Sequence, residues 1–380
     1  MWDELLIMRA LFGMRWILVL FVANSCVERV ELDVPPPQSL LVIEGMITTD
    51  VPPYTVKVSR GFALDADTVP FNPVEKLTIQ LFDDQGNSES FVENTAGEYI
   101  SSGLIQGQIG HSYHIKVQTP DGKIFESEPD LLKPVGQVTD IKYEYEQRIK
   151  QGKYFEEKKD IFNIYVNSNA GLGDDNYVRW RFKGTYMVET YPQYYMRWIP
   201  PYTPYKDPWP CSGYRIGEGP IGSGGLLIKF DECACCVCWA NHFDQMPQLS
   251  DVQLVANNQF NNVKVAEVPI TNMTFANKYL VEVEQLSISK SVFEFYKLIR
   301  KQKEEASTLF QPPPGVIIGN VKAINNNDLV IGIFGASSIS RNHIFIYPED
   351  VPFKLLPPDY NTEPCTRFPF SSTSKPVLWK

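Results

Sequence analysis

The first third of the chain alternates apolar and polar residues with a period of two. Tyr54, Val56 and Val58 are separated by polar side chains, and residues 77–81 repeat the pattern. A period of two is typical of strands with one buried face. Gly86 and Gly122 lie in polar segments that are typical of hairpin turns. The pattern predicts an antiparallel β-sandwich of immunoglobulin or prealbumin type over residues 40–134, with about seven short strands.

A larger β-rich domain is predicted over residues 135–380, with one amphipathic helix between its strands. Ser291 and Glu294 have the spacing of a capping box, and the three consecutive prolines at 312–314 exclude continuation of the helix. The apolar stripe consists of Val292, Phe295, Tyr296 and Ile299, and the opposite face carries Lys297, Arg300, Lys301 and Lys303. The bounds expected for the strands are 141–146, 161–167, 177–189, 263–268, 279–286, 316–324, 329–336 and 343–347.

The N-terminal residues have the pattern of an export signal. Arg9 and Arg15 precede an apolar block at 16–23, which is too short to span a membrane, and small residues lead to Cys26. We therefore expect a signal peptide at 1–25 and lipidation of Cys26, which would anchor the protein to a membrane. Acidic residues and prolines indicate an extended tether at 26–39. The alternative is a buried N-terminal helix with an ordinary cysteine.

Six further cysteines form an even set, which in an exported chain indicates disulfides. In an extended chain, the cluster at 233–238 would project its cysteines to two faces, which favours separate bridges over one metal centre. We expect Cys211 and Cys365 each to pair with the cluster, although the sequence does not choose among the pairings. A metal or redox centre is the alternative. The six residues are Cys211, Cys233, Cys235, Cys236, Cys238 and Cys365.

An insertion at 190–240 combines aromatic residues with prolines. Long irregular loops are often functional, and Tyr and Trp dominate recognition surfaces. The candidate ligand-binding or partner-binding residues are Tyr191, Tyr194, Tyr195, Trp198, Tyr202, Tyr205 and Trp209. These side chains could instead form the core of the insertion itself, held by Cys211.

Charge and motifs exclude several classes of function. The chain has 35 Lys and Arg against 45 Asp and Glu, a net charge of -10, so nucleic-acid binding is not expected. The sequence at 217–222 matches G-x-G-x-x-G but precedes a predicted strand, so it indicates a loop. G-x-S-x-G, H-E-x-x-H and P-loop sequences are absent. We therefore expect a protein that is not an enzyme and holds no cofactor or metal.

Several short blocks resemble a known family. These are ELDV at 31–34, LVIEG at 41–45, PYTVKVSR at 53–60, NYVRW at 176–180 and PPPG at 312–315, together with IGN at 318–320 and GASS at 335–338. Their order is similar to that of a Bacteroidota outer-membrane lipoprotein family, domain of unknown function 4249. The resemblance implies an exported lipoprotein, often encoded beside a TonB-dependent transporter. It assigns no catalytic residues.

Together these features predict a lipid-anchored accessory protein of the outer membrane, at the cell surface or on the periplasmic face. Its expected partner is a TonB-dependent transporter, whose substrate it would help to capture or gate. One alternative is an envelope scaffold or adhesion protein without a role in transport. The other is a metal or redox protein that uses the cluster at 233–238.

Overall fold

The structure, a computed structural model, describes residues 40–61, 72–151, 156–171, 177–219, 225–250, 255–256, 258–305 and 319–380. The predicted signal peptide and tether, including Cys26, lie outside the described residues. The part described is mainly β and contains one α-helix, which confirms the predicted fold class.

The first eight strands form most of one sheet, called sheet A. Its inward side chains include Val56, Val58, Ile79 and Leu81, all fully buried, so the alternation predicted for these strands is confirmed. Gly86 and Gly122 have the positive φ angles that their turns require. The strands are β1 (Leu41–Thr48), β2 (Thr55–Arg60), β3 (Thr78–Asp83), β4 (Ser88–Thr95), β5 (Glu98–Ser101), β6 (Ser112–Gln118), β7 (Ile124–Ser127) and β8 (Asp130–Leu131).

Two strands from late in the sequence complete sheet A. β22 (Val330–Ser337) pairs in parallel with β1, and β21 (Val321–Ala323) pairs antiparallel with β7. The sheet is nearly closed because Asn320 links its two ends. Its side chain accepts a hydrogen bond from the Phe334 N–H at 2.9 Å and donates one to the Phe334 carbonyl at 2.7 Å. Sheet A therefore includes strands from the segment assigned to the second domain, and the boundary at 134 stays a prediction.

Two further sheets pack face to face around a second core. Trp180 and Phe260 meet edge to face across it, with ring centroids 5.0 Å apart. Sheet B contains β9 (Val138–Gln151), β10 (Glu156–Asn169), β18 (Val255–Ala256) and β19 (Gln259–Pro269). Sheet C contains β11 (Tyr177–Glu189), β16 (Val237–Phe243), β17 (Gln248–Leu249), β20 (Tyr279–Ile288), β23 (Ile339–Ile346) and β24 (Ser371–Ser372).

The helix α1 (Lys290–Glu305) covers one end of the outer face of sheet C. Its predicted apolar stripe is confirmed, since Val292, Phe295 and Tyr296 are buried. The predicted capping residue is wrong, because Ser291 lies inside the helix. Ser289 performs this role by accepting a hydrogen bond from the Val292 N–H at 3.4 Å.

Candidate functional site

The insertion at 190–240 folds into two hairpins. The first pairs β12 (Met196–Ile199) with β13 (Thr203–Lys206), and the second pairs β14 (Tyr214–Gly217) with β15 (Leu226–Lys229). Every residue of β12 and β13 is exposed, so the first hairpin has no core of its own. Two strands without a covered face are marginally stable in water, which means that other interactions must hold them.

Three disulfides involve the insertion: two lie within it, and the third, Cys238–Cys365, ties it to the C-terminal part of the chain. They join Cys211 to Cys235, Cys233 to Cys236, and Cys238 to Cys365. The Cys238–Cys365 bridge is fully buried beside Val188 and Ala240, where β11 and β16 pair. Backbone hydrogen bonds from Ala234 to Cys211 and from Cys365 to Cys235, both 2.9 Å, add to these links. The insertion thus has a covalently fixed base.

The seven candidate aromatic residues divide into two groups. At the base, Tyr191 stacks on Tyr360 with centroids 4.8 Å apart, and Tyr195 packs at 5.2 Å from Trp209. Tyr194 also approaches Tyr360, at 6.1 Å. The second group, Trp198, Tyr202 and Tyr205, lies on the first hairpin; Trp198 is 64% exposed and Tyr202 83% exposed. The base residues support the fold of the insertion, whereas the hairpin presents three aromatic side chains to solvent.

A groove of about 530 Å³ lies on the outer face of sheet C. Its floor carries polar and charged side chains from three adjacent strands, in two rows set by the strand register. One row contains Lys183, Glu282 and His343, and the other contains Arg181, Glu284 and Arg341. Phe243 and Leu378 add apolar surface to the lining. α1 covers the face beyond the second row, and Trp379 contacts Trp239 and Phe345 beyond the first.

The charges of the floor are paired across the strands. Lys183 lies 3.0 Å from Glu282, and Arg181 lies 2.5 Å from Glu284. Arg341 contacts Glu284 at 2.8 Å and also pairs with Asp50, at the end of β1. The hydrogen bond from the Arg341 guanidinium lowers the pKa of Asp50, so this carboxylate stays charged under mildly acidic conditions.

Asp244 lines the groove beside Phe243 and has a different environment. Its carboxylate accepts a hydrogen bond from the Phe182 N–H at 3.3 Å. Burial raises the pKa of Asp244 because removing water disfavours the charged form. Asp244 also lines a second recess, which contains His242 and Lys264.

The groove is not evident from the sequence alone. The signal was present: charged residues alternate with apolar ones in RWRFK at 179–183 and in EVE at 282–284. This alternation predicts strands, but it does not show that these two strands are neighbours or that their charged faces coincide.

The described residues contain no group of three or more His, Cys, Asp or Glu side chains arranged to hold a metal ion. Within the same residues, no helix is both long enough and apolar enough to cross a membrane.

The three sheets and the disulfide-tied insertion define a β-rich protein with an exposed aromatic hairpin and a charged groove. The chain belongs to the family described as Domain of unknown function (DUF4249), whose model matches residues 27–343. The match includes the groove floor and the cysteine cluster, but Cys365 and Leu378 lie beyond it. Comparisons with curated proteins and with solved structures gave no match.

Proposed function

We propose that this chain is a lipid-anchored accessory protein of the outer membrane that associates with a TonB-dependent transporter. In this role it assists capture or gating of the transported substrate, without catalysing a reaction. Support comes from the sequence around Cys26, the acidic tether and the blocks of residues that resemble the family. The observation that carries the proposal is the exposed aromatic hairpin of β12 and β13.

The hairpin has the chemistry of a partner-binding element. Trp and Tyr are enriched where proteins meet, because they bury a large rigid surface and keep a polar group for hydrogen bonding. Trp198, Tyr202 and Tyr205 lie on or between the two strands and are all exposed. Because the disulfides fix the base of the hairpin, less conformational freedom would be lost on binding.

The length of the tether limits how far the folded part of the protein could lie from the membrane. A fully extended chain over residues 26–39 reaches at most about 50 Å. A lipid on Cys26 would therefore keep β1 within that distance of the membrane surface. A transporter in the same membrane then lies within range of the folded part.

A pull-down from detergent-solubilised membranes tests this proposal. We expect the tagged full chain to recover a transporter barrel, and a Trp198→Ala and Tyr202→Ala double variant to lose most of it. Tyr347→Ala is a matched control, because it removes an exposed aromatic ring outside the insertion. Recovery of the lipoprotein alone would contradict the proposal and favour an envelope scaffold or adhesion protein. Bound metal or free thiols would instead favour the metal or redox alternative.

A further inference from the structure

The glutamates on the floor of the groove on sheet C are recessed. The Glu282 and Glu284 side chains are only 27% and 26% exposed, although both lie on the outer face of the sheet. By comparison, Lys57 and Glu98 form a cross-strand pair on sheet A with 54% and 33% exposure. The volume of about 530 Å³ lies within the range, about 300–1,000 Å³, that is typical of small-molecule sites.

The polar groups on the groove floor are held in place before any ligand arrives. Glu284 accepts hydrogen bonds from Arg181 and from Arg341, and Arg341 is fixed on its other side by Asp50. Fixed donors and acceptors lose little conformational freedom on binding, so such a surface binds more tightly than flexible side chains would.

The charges lining the groove balance, and this limits the ligand. Three cationic side chains, Arg181, Lys183 and Arg341, are paired with three carboxylates, Glu282, Glu284 and Asp50. An ion of either sign would meet as much repulsion as attraction and would lose its hydration. A neutral molecule with adjacent donors and acceptors can bind without disrupting the pairs. Hydroxyl groups suit this surface, because each donates to a carboxylate and accepts from a guanidinium or ammonium group.

The rest of the lining indicates that one face of the ligand is apolar. Phe243 is exposed and is supported by an edge contact from Phe370, with ring centroids 5.5 Å apart. Leu378 adds aliphatic surface to the same lining. The C–H face of a pyranose ring fits such a surface, while its hydroxyl groups point to the sides. A peptide that binds by strand addition would need the free edge of a sheet, but this floor is the face of one.

We propose that the groove binds a neutral oligosaccharide. Its hydroxyl groups would bond to Glu282, Glu284 and Arg341, and the C–H face of one sugar ring would lie against Phe243. This proposal goes beyond association with a transporter and does not depend on it, since the groove and the aromatic hairpin share no residues. Binding by the isolated full chain and pull-down of a transporter can therefore fail separately.

Isothermal titration calorimetry of the detergent-solubilised full chain tests the proposal. The neutral probes are maltohexaose, cellohexaose and mannohexaose, each titrated to millimolar concentration. A hyaluronan hexasaccharide and a chitosan hexamer serve as anionic and cationic counterparts. We expect saturable binding of at least one neutral probe and weaker binding of both charged ones. The absence of saturable binding by all three neutral probes, or tighter binding of a charged one, would overturn the proposal.

Variants locate the binding site. Glu282→Gln and Phe243→Ala should each weaken binding by about 10- to 100-fold, the effect expected for losing a hydrogen bond to a charged group or an apolar contact. Glu98→Gln is the matched control, since it neutralises a cross-strand glutamate outside the groove and should leave the affinity unchanged. Thermal unfolding of each variant checks that it is folded. Binding that persists unchanged in folded Glu282→Gln and Phe243→Ala would place the ligand elsewhere and overturn the proposal.

Discussion

Sheet A and the insertion hold their strands in place by different means. Sheet A surrounds a continuous apolar core that includes Val56, Ile79 and Phe334, each fully buried. The hairpin of β12 and β13 buries none of its residues and depends on a base fixed by disulfides. Burial of apolar surface orders sheet A as a unit, whereas covalent links fix the base of the insertion and leave the aromatic side chains of the first hairpin exposed to solvent.

The largest difference between the two regions should appear when one aromatic ring is removed from each. Phe334→Ala should lower the free energy of unfolding by about 3–5 kcal/mol, because it opens a cavity in the core of sheet A. Trp198→Ala removes a larger ring from the hairpin but should change the free energy of unfolding by no more than about 0.5 kcal/mol. Urea unfolding with the disulfides intact measures both. Equal losses would show that the hairpin has tertiary packing after all.

Removing a disulfide should reveal what orders the insertion. Replacing both Cys238 and Cys365 by Ala should lower the free energy of unfolding by about 2–4 kcal/mol and make the first hairpin sensitive to proteases. The matched variant replaces Cys233 and Cys236. This variant should lose less free energy of unfolding, because the Cys233–Cys236 bridge spans a sequence separation of only 3 residues, against 127 for Cys238–Cys365. The entropy cost of closing a loop grows with its length. Thermal unfolding and limited proteolysis measure the difference. Equal losses for the two pairs would contradict the explanation from loop length.

The smallest of these effects concerns the link that nearly closes sheet A. Asn320→Ala removes the side chain that bonds to the buried N–H and carbonyl of Phe334. It should lower the free energy of unfolding by about 1–3 kcal/mol. Asn325 also bonds to two backbone groups, the Ile124 N–H and the Gly122 carbonyl, but at an exposed position. Asn325→Ala should therefore cost less in the same urea experiment. A larger loss for Asn325→Ala would mean that Asn320 does not hold the ends together.

Local patterns predicted part of the strands: β16 was not predicted, and β9 and β10 are longer than the expected 141–146 and 161–167. The predicted bounds of β11, residues 177–189, agree with the structure, because its alternation is marked and the proline-rich insertion follows it. The alternation around Val56 and Ile79 likewise predicted which side chains are buried. The apolar stripe of α1 was predicted correctly. The predicted capping residue was Ser291, whereas Ser289 caps the helix in the structure. Both serines precede the stripe, and only the backbone geometry distinguishes them.

The pairing of distant segments could not be predicted. β1 and β22 are neighbours although Leu41 pairs with Val330, and no local pattern specifies a partner so far along the chain. The groove was missed for the same reason, because its floor exists only when β11, β20 and β23 lie side by side. The sequence did predict disulfides, but fifteen pairings were open, and the choice among them depends on where β16 places Cys238.

The parallel pairing of β1 with β22 also sets an order of events during synthesis. β1 is made early, yet its partner is complete only when Ser337 has emerged, after all the strands of sheet B and most of those of sheet C. Until then one edge of β1 stays open, and open edges invite pairing with other chains. A nascent chain that stops before residue 330 would carry the sequence of β1 to β8 without the strand that covers this edge. A strand from the last third of the chain thus covers an edge that the first third leaves open.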